Sequence, residues 1–455
     1  MLDNKKYIII LILLGVLLLV NLFKVTAATY YVSPDGKATW PECKTIENPC
    51  KASNNETEFL NAPSGAKIIF LDGVYQNLQK KKSISYIYGA WSPKNSNVTF
   101  KALNTHKAIL VGAWTSGISP GSNIESVSVS VFTAVDVDNI VFDGFTVRAV
   151  NGTKSVMSSV QFRRSNNSII KNCLIEGAEH STGGANNYEG IRGEDSDFLQ
   201  VYNCTVRDFI ESSGNYNTSG FKSYRCNNLT IKNNDFFNNT TGIFIKGSPQ
   251  HNVKIVNNYI YNNIGQGIHL LASNSPVFNA TISNNLFVNN GLWFAPDERE
   301  MSKIDNLEIS NNTFWGKNFS WSTNYSIGKG PRIYNNIIAN VKDYAMISKY
   351  DYGLDGPQEI DHNCIPFPVK IRMRDYSKRA ISYYSLSSWN SSGELANGLN
   401  PGDGSFASDP LFLNYSKTMS QKNDFILRND SPCRQAGRYM SDIGADISLI
   451  GVKDY

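Results

Sequence analysis

Arg192, Lys222 and Lys246 are three cations with aromatic residues close by in sequence, and a lysine crowded by other cations could do chemistry. Neighbouring positive charge destabilises its ammonium, lowers its pKa and lets the free amine accept a proton near neutral pH. Arginine pairs bidentately with carboxylates, and Tyr, Phe and Trp rings pack against the faces of sugars. The set therefore suits an acidic sugar chain. The candidates fall into two rows. One is Gln161, Arg192, Lys222, Phe244, His269 and Trp293; the other, two residues further along each segment, is Arg163, Glu194, Tyr224 and Lys246. Such rows exist only if a repeating element stacks these segments one above another.

The repeat is present. Ile170-Lys171-Asn172-Cys173, Val201-Tyr202-Asn203-Cys204, Ile231-Lys232-Asn233-Asn234, Ile255-Val256-Asn257-Asn258, Ile282-Ser283-Asn284-Asn285, Ile309-Ser310-Asn311-Asn312 and Ile333-Tyr334-Asn335-Asn336 share one pattern. Ile360-Asp361-His362-Asn363-Cys364 is a weaker eighth copy. With Asn363 as the eighth marker, the intervals run from 24 to 31 residues, a mean of about 27. Before each marker the residues alternate, so Leu229, Ile231 and Asn233 are expected on one face and Thr230 and Lys232 on the other, which is the period of a strand. A second turn position recurs as Asn238, Asn262, Asn289 and Asn340, with Asp208, Gly177 and Gly316 in other copies. A further strand restarts after Gly190, Gly220, Gly242 and Gly267.

A unit of this length cannot bury its apolar face alone, but units stacked at about 4.8 Å can, which predicts an all-β parallel β-helix. Leucine-rich spacing is absent, and propeller blades are longer. The marker asparagines are expected to bond through their amides from coil to coil, satisfying buried polar groups at the bend. In that register Val160, Ile191 and Phe221 point inward while Gln161, Arg192 and Lys222 point outward, and the glycine-led strands extend the row to Phe244, His269 and Trp293. Two long loops, 176–189 with His180 and 208–219, are expected to wall this solvent-facing stripe as a cleft.

Composition agrees. The 455 residues include 53 Asn and 34 Gly, both poor helix formers, and 41% hydrophobic residues, enough for a large core. A net charge of +4 excludes a general nucleic-acid-binding surface. Residues 1–27, with Lys5, Lys6, an apolar run and Val25-Thr26-Ala27, read as a secretory signal peptide, or as a membrane anchor if uncleaved. The body is expected to be secreted or on the cell surface, and monomeric. Of the seven cysteines, Cys43 and Cys50 could close a small staple. Cys173 and Cys204 are predicted one coil apart, as a disulfide or as two stacked thiols, with Cys364 at the equivalent position several coils away.

The opening Thr29-Tyr30-Tyr31-Val32-Ser33-Pro34-Asp35-Gly36 and Lys67-Ile68-Ile69-Phe70-Leu71-Asp72-Gly73-Val74-Tyr75, with the ending Asp409-Pro410-Leu411-Phe412, Asp424-Phe425, Ser431-Pro432 and Asp442-Ile443-Gly444-Ala445, resemble the secreted right-handed parallel β-helix proteins of the pectate-lyase-like superfamily. The resemblance implies one elongated domain: a β-helix over 28–375, with 376–455 as C-terminal coils and cap continuing it. The polygalacturonase signatures Asn-Thr-Asp, Asp-Asp and Gly-His-Gly are absent, as are the Asp-Pro-His-Glu of alginate epimerases and the Arg-x-Pro-x-x-Arg of classical pectate lyases. What remains is similar to polysaccharide lyases in which Lys or Arg abstracts the proton, often with calcium.

On that resemblance Lys222 is the expected base, Arg192 neutralises a uronate carboxylate, and Tyr224 or His269 is the acid. Arg163, Glu194, Phe244, Lys246 and Trp293 would bind the polysaccharide. Ca2+ would need a carboxylate cluster, for which Glu189, Glu194, Asp195 and Asp197 are near in sequence. The alternative is a non-catalytic surface protein that binds or organises glycans.

Overall fold

Strands from successive repeats pair in parallel and in register in the computed structural model, forming three long sheets of 13, 10 and 8 strands. The residues described are 28–52, 57–79, 88–114, 129–149, 158–177, 179–180, 188–211, 217–247, 249–272, 277–296, 304–316, 320–321, 332–341, 344–349, 359–366, 370–375, 380–390, 404–416 and 419–453. The expected signal segment 1–27 lies outside them.

In the 13-stranded sheet Ile170, Val201, Ile231, Ile255, Ile282, Ile309, Ile333 and Ile360 stack in one buried column. Ile175, Val206, Phe236, Ile260, Phe287, Phe314 and Ile338 do the same in the 10-stranded sheet. In the 8-stranded sheet the column is Val160, Ile191, Phe221, Ile243, Ile268 and Leu292. Apolar columns from three sheets enclose one core, and the molecule is a single elongated right-handed parallel β-helix.

The asparagines divide labour in a way that strict alternation does not foresee. Asn172, Asn203, Asn233, Asn257, Asn284, Asn311 and Asn335 all take left-handed backbone, with φ between 51° and 58°. Asparagine tolerates this region because its short side chain bonds locally. The kink breaks the strand and turns each marker outward, so the next residue goes in. Asn233 therefore does not share the inward face of Leu229 and Ile231.

The buried ladder is Asn234, Asn258, Asn285, Asn312, Asn336 and Asn363. Each Nδ2 donates to the Oδ1 of the next at 3.0 Å. Each also donates to a strand carbonyl one coil back, such as Ile231 O for Asn258. Each Oδ1 in turn accepts a backbone N–H from the preceding coil. Asn363 thus belongs to this inner ladder, and His362, with φ 49°, stands at the marker position. Cys204 occupies the inner position too, its N–H donating to Asn234 Oδ1. Cys364 pairs instead with Ile337, one residue further on, and is not equivalent to Cys173 and Cys204. Those two are buried free thiols in contact, and burial pushes the Cys173 thiol up. Cys43 and Cys50 form the small disulfide.

The C-terminal segment departs from the expected continuation of coils. After Phe406 bridges to Cys364, the chain turns back and runs down the outside of the stack. Asn335 Nδ2 donates to Ser441 Oγ, Asn311 Nδ2 to Asp442 O, and Asn233 Nδ2 to Leu449 O. Asp446 N donates to Asn284 Oδ1 and Lys453 N to Asn203 Oδ1. Outward marker asparagines thus serve as pegs for a strap, which contacts the coils in reverse order. Its Phe412, Phe425, Ile443 and Ile450 bury Trp315, Leu286 and Ile337 on the outer face of the 10-stranded sheet. Trp315 is therefore part of this second apolar core. Gly444 is required here: its φ is 95°, and a Cβ would stand 2.5 Å from Ile337.

Asn258→Ala removes the partners of two Asn234 donors and of the Ile231, Val256 and Asn285 acceptors. It should lower stability by about 2–4 kcal/mol. Asn252→Ala, at an exposed left-handed turn, should cost about 1 kcal/mol. Denaturant midpoints of the two variants check this; equal losses would contradict the division between inner and outer asparagines.

Candidate functional site

The outer face of the 8-stranded sheet brings the candidates together. Strand register aligns Gln161, Arg192, Lys222, Phe244, His269 and Trp293 in one row, and Arg163, Glu194, Tyr224 and Lys246 in the next. The face is not the open solvent stripe expected. The Lys222 side chain is 0% exposed, and Gln161, Phe244, His269 and Glu194 are also buried. Asn217, just ahead of the Ser219–Tyr224 strand, covers the two lysines: its O accepts from Lys222 Nζ, and its Oδ1 accepts from Lys246 Nζ at 3.1 Å. Next to it, Thr218 Oγ1 donates to Glu211 at 2.9 Å.

Glu189, considered from sequence only as part of a metal cluster, is the centre of the charge network. Its Oε1 is 2.8 Å from Lys222 Nζ and 3.6 Å from Arg192 Nη1. Period two puts Glu189 in phase with Ile191, on the apolar side, which is why alternation hides it. A carboxylate in an apolar phase needs a buried cation, and that requirement was the available signal. Arg192 donates from Nε and Nη2 to Glu194 Oε2 at 3.2 and 3.1 Å, and its guanidinium lies 4.6 Å over the Tyr224 ring. Glu194 Oε1 is also 3.7 Å from Arg163 and 3.5 Å from Arg225. Asp195 is held by Arg225, and Asp197 accepts the Asn227 N–H. The four acidic residues considered for Ca2+ are thus each engaged by the protein itself, with Arg192 shared by Glu189 and Glu194 and Arg225 by Glu194 and Asp195. Among the described residues no group of three or more His, Cys, Asp or Glu is placed to hold a metal ion.

Beyond Lys222 the row turns aromatic. Lys222 Nζ lies 5.3 Å from the Phe244 ring centre, and Lys246 Nζ 5.6 Å. Phe244 stacks on His269 at 4.3 Å, and His269 on Trp293 at 4.5 Å. Burial, reinforced by Lys246 and Lys222, lowers His269 to about 3, so it is a neutral ring at ordinary pH. Burial also lowers Lys222 to about 8 against the opposing pull of Glu189, while Lys246 and Arg192 lower it further. Burial raises the Tyr224 phenol, which stays protonated. Lys222 can thus lose its proton near pH 8, while the Tyr224 phenol on the adjacent row keeps its own. The other histidines stand apart: His362 bonds Asp361 in its turn, and His180 lies on a two-residue strand beside Ile210–Glu211.

Glu189→Ala would leave the Lys222 ammonium buried without its carboxylate and should cost about 3–5 kcal/mol. Adding Lys222→Met should recover most of that loss. A double-mutant cycle on urea midpoints measures the coupling; additive losses would mean the pair does not interact.

Residues 136–314 match the family described as right handed beta helix region. No curated protein sequence matches the chain. Among solved structures, pectate lyase Pel9A is similar over 91% of this chain and 95% of its own, at 15% identity and a TM-score of 0.54. A polygalacturonase from Erwinia carotovora covers 76% and 95% at 14% identity, TM-score 0.46. The Streptococcus pneumoniae surface adhesin PfbA covers 78% and 93% at 13% identity, also 0.46. Sheet topology, the match over the central coils and the likeness to Pel9A agree that this chain is a right-handed parallel β-helix protein.

Proposed function

We propose that the protein is an exported enzyme that cleaves an acidic, uronate-containing polysaccharide by β-elimination on the outer face of its 8-stranded sheet. The observation that carries this reading is Lys222: fully buried among Glu189, Arg192 and Lys246, with its pKa lowered to about 8. Its free amine would take the proton from C5, beside the uronate carboxylate. The electron pair left behind forms the C4–C5 double bond as the C4–O bond breaks, and the Tyr224 phenol protonates the departing oxygen. Lys246, whose Nζ donates to Asn217 Oδ1, supplies positive charge to the uronate together with Arg192. His269 is better suited to the ring stack with Phe244 and Trp293, along which sugar faces would lie, than to acid catalysis. Arg163 and Glu194 hold this arrangement from the adjoining row. Because Asn217 bonds both lysines, substrate entry requires its displacement. The shared fold with a pectate lyase is consistent with this chemistry and does not by itself assign it.

The test is the ultraviolet absorbance of the unsaturated uronate during incubation with pectate, alginate and glycosaminoglycans. Wild type should release it from at least one, with kcat/KM rising as pH approaches about 8 and the amine form of Lys222 accumulates. Lys222→Ala should lose about 10²–10⁴-fold in kcat, and Tyr224→Phe should lose activity with KM nearly unchanged. No product from any acidic glycan would defeat the lyase reading. Binding of the same glycans without product, weakened by Lys246→Ala, would establish the non-catalytic glycan-binding role instead.

A further inference from the structure

The returning strap leaves a cleft of about 910 Å3 between itself and the outer face of the 13-stranded sheet, on a different wall from Lys222. Ser283, Ser310, Asn311, Glu308, Tyr334 and Asp442 are among its lining residues. Glu308 is fixed in orientation: Oε1 accepts from Tyr334 Oη at 2.8 Å and Ser310 Oγ at 3.1 Å, and Oε2 from Arg332 at 2.6 Å. The charge balance opposes an anionic ligand. Glu308, Asp442 and Asp446 line the cleft with one cation, Arg434, itself 3.8 Å from Asp442; behind the lining, Arg332 pairs with Glu308 and Arg438 with Glu359 and Asp361, so no cation is left over for an anion. Hydroxyls, amides and oriented carboxylates are the donors and acceptors that match the vicinal hydroxyls of an uncharged sugar.

A second observation lies at the edge of the cleft. In the turn 437–441, Tyr439 and Met440 both take left-handed backbone, φ 59° and 58°, and are 98% and 76% exposed. Two side-chain-bearing residues in this conformation are unfavourable, and glycine or asparagine would relieve the strain. Here Arg438 enforces it. Its Nε donates to Asp361 Oδ1 at 2.6 Å, Nη2 lies 3.1 Å from Glu359, and its guanidinium sits 4.2 Å over the Tyr334 ring. Its backbone N–H donates to Asn335 Oδ1, and Gly437 N to Ser441 O closes the turn. The result is an anchored turn that presents a solvent-facing aromatic ring two residues from Ser441, which lines the cleft. We infer that this cleft is a saccharide-binding site for an uncharged oligosaccharide, with Tyr439 as the stacking surface at its edge.

Titration calorimetry with cello-, xylo- and manno-oligosaccharides tests the site without reference to any reaction. Wild type should bind at least one of them. Tyr439→Ala should weaken binding by about tenfold, Ser283→Trp should abolish it by filling the cleft, and Lys222→Ala should leave it unchanged. Circular dichroism and melting temperature establish that each variant is folded. The inference fails if no neutral probe binds, if binding survives both cleft variants, or if oligogalacturonate binds more tightly there than the neutral sugars. Either result is independent of whether the Lys222 site proves to be a lyase.

Discussion

Coil-to-coil register in this protein depends on a chain of buried amides. Side chains from Asn234 to Asn336 each donate to the next coil's Oδ1, ending on Asn363, and accept a backbone N–H from the coil before, at the corner between two sheets where the ladder of strand hydrogen bonds is interrupted. A slip of one residue would leave these polar groups buried and unpaired, which is costly in a low-dielectric core. The apolar columns alone would not be so strict, because Ile, Val and Leu exchange places at small cost. Once this corner is in register, the strands of the 8-stranded sheet are too, and residues 30 positions apart, such as Arg192 and Lys222, become neighbours.

Charge on that sheet's outer face follows the same logic one level up. Glu189 and Glu194 are each approached by more than one cation, so the cluster is a network rather than a set of pairs. At its centre Lys222 and Glu189 are fully buried, and Asn217 O accepts from Lys222 Nζ. Desolvation then works on each group by its charge type, pulling the lysine down and pushing the phenol up.

Most of the architecture was legible because it is periodic. The Ile-x-Asn-Asn repeat and the glycine-led strands place Lys222 over Arg192 and under Phe244, as the register shows. Three features resisted for identifiable reasons. Left-handed backbone at Asn233 reverses the facing of the residue after it, so a strict alternation assigns the inner ladder to the wrong asparagine. The bonds that Asn217 makes to Lys222 and Lys246 come from outside the repeating strands, where periodicity gives no guide. Glu189 lies in an apolar phase where its role depends on a residue one coil away. The strap was hidden for a similar reason: its partners lie 77 to 250 residues earlier in the chain, and no local pattern announces them.

The strap also bears on how the molecule assembles. A solenoid whose coils touch only their neighbours can form progressively from its first coil, while later ones are still being made. The returning segment cannot: its pegs, from Asn335 back to Asn203, belong to coils that must already exist. It follows in the chain every coil it docks on, and it ties coils far apart in sequence to one another. Its docking is therefore a final latch, turning a stack that could unravel from its end into one that must lose many coils together.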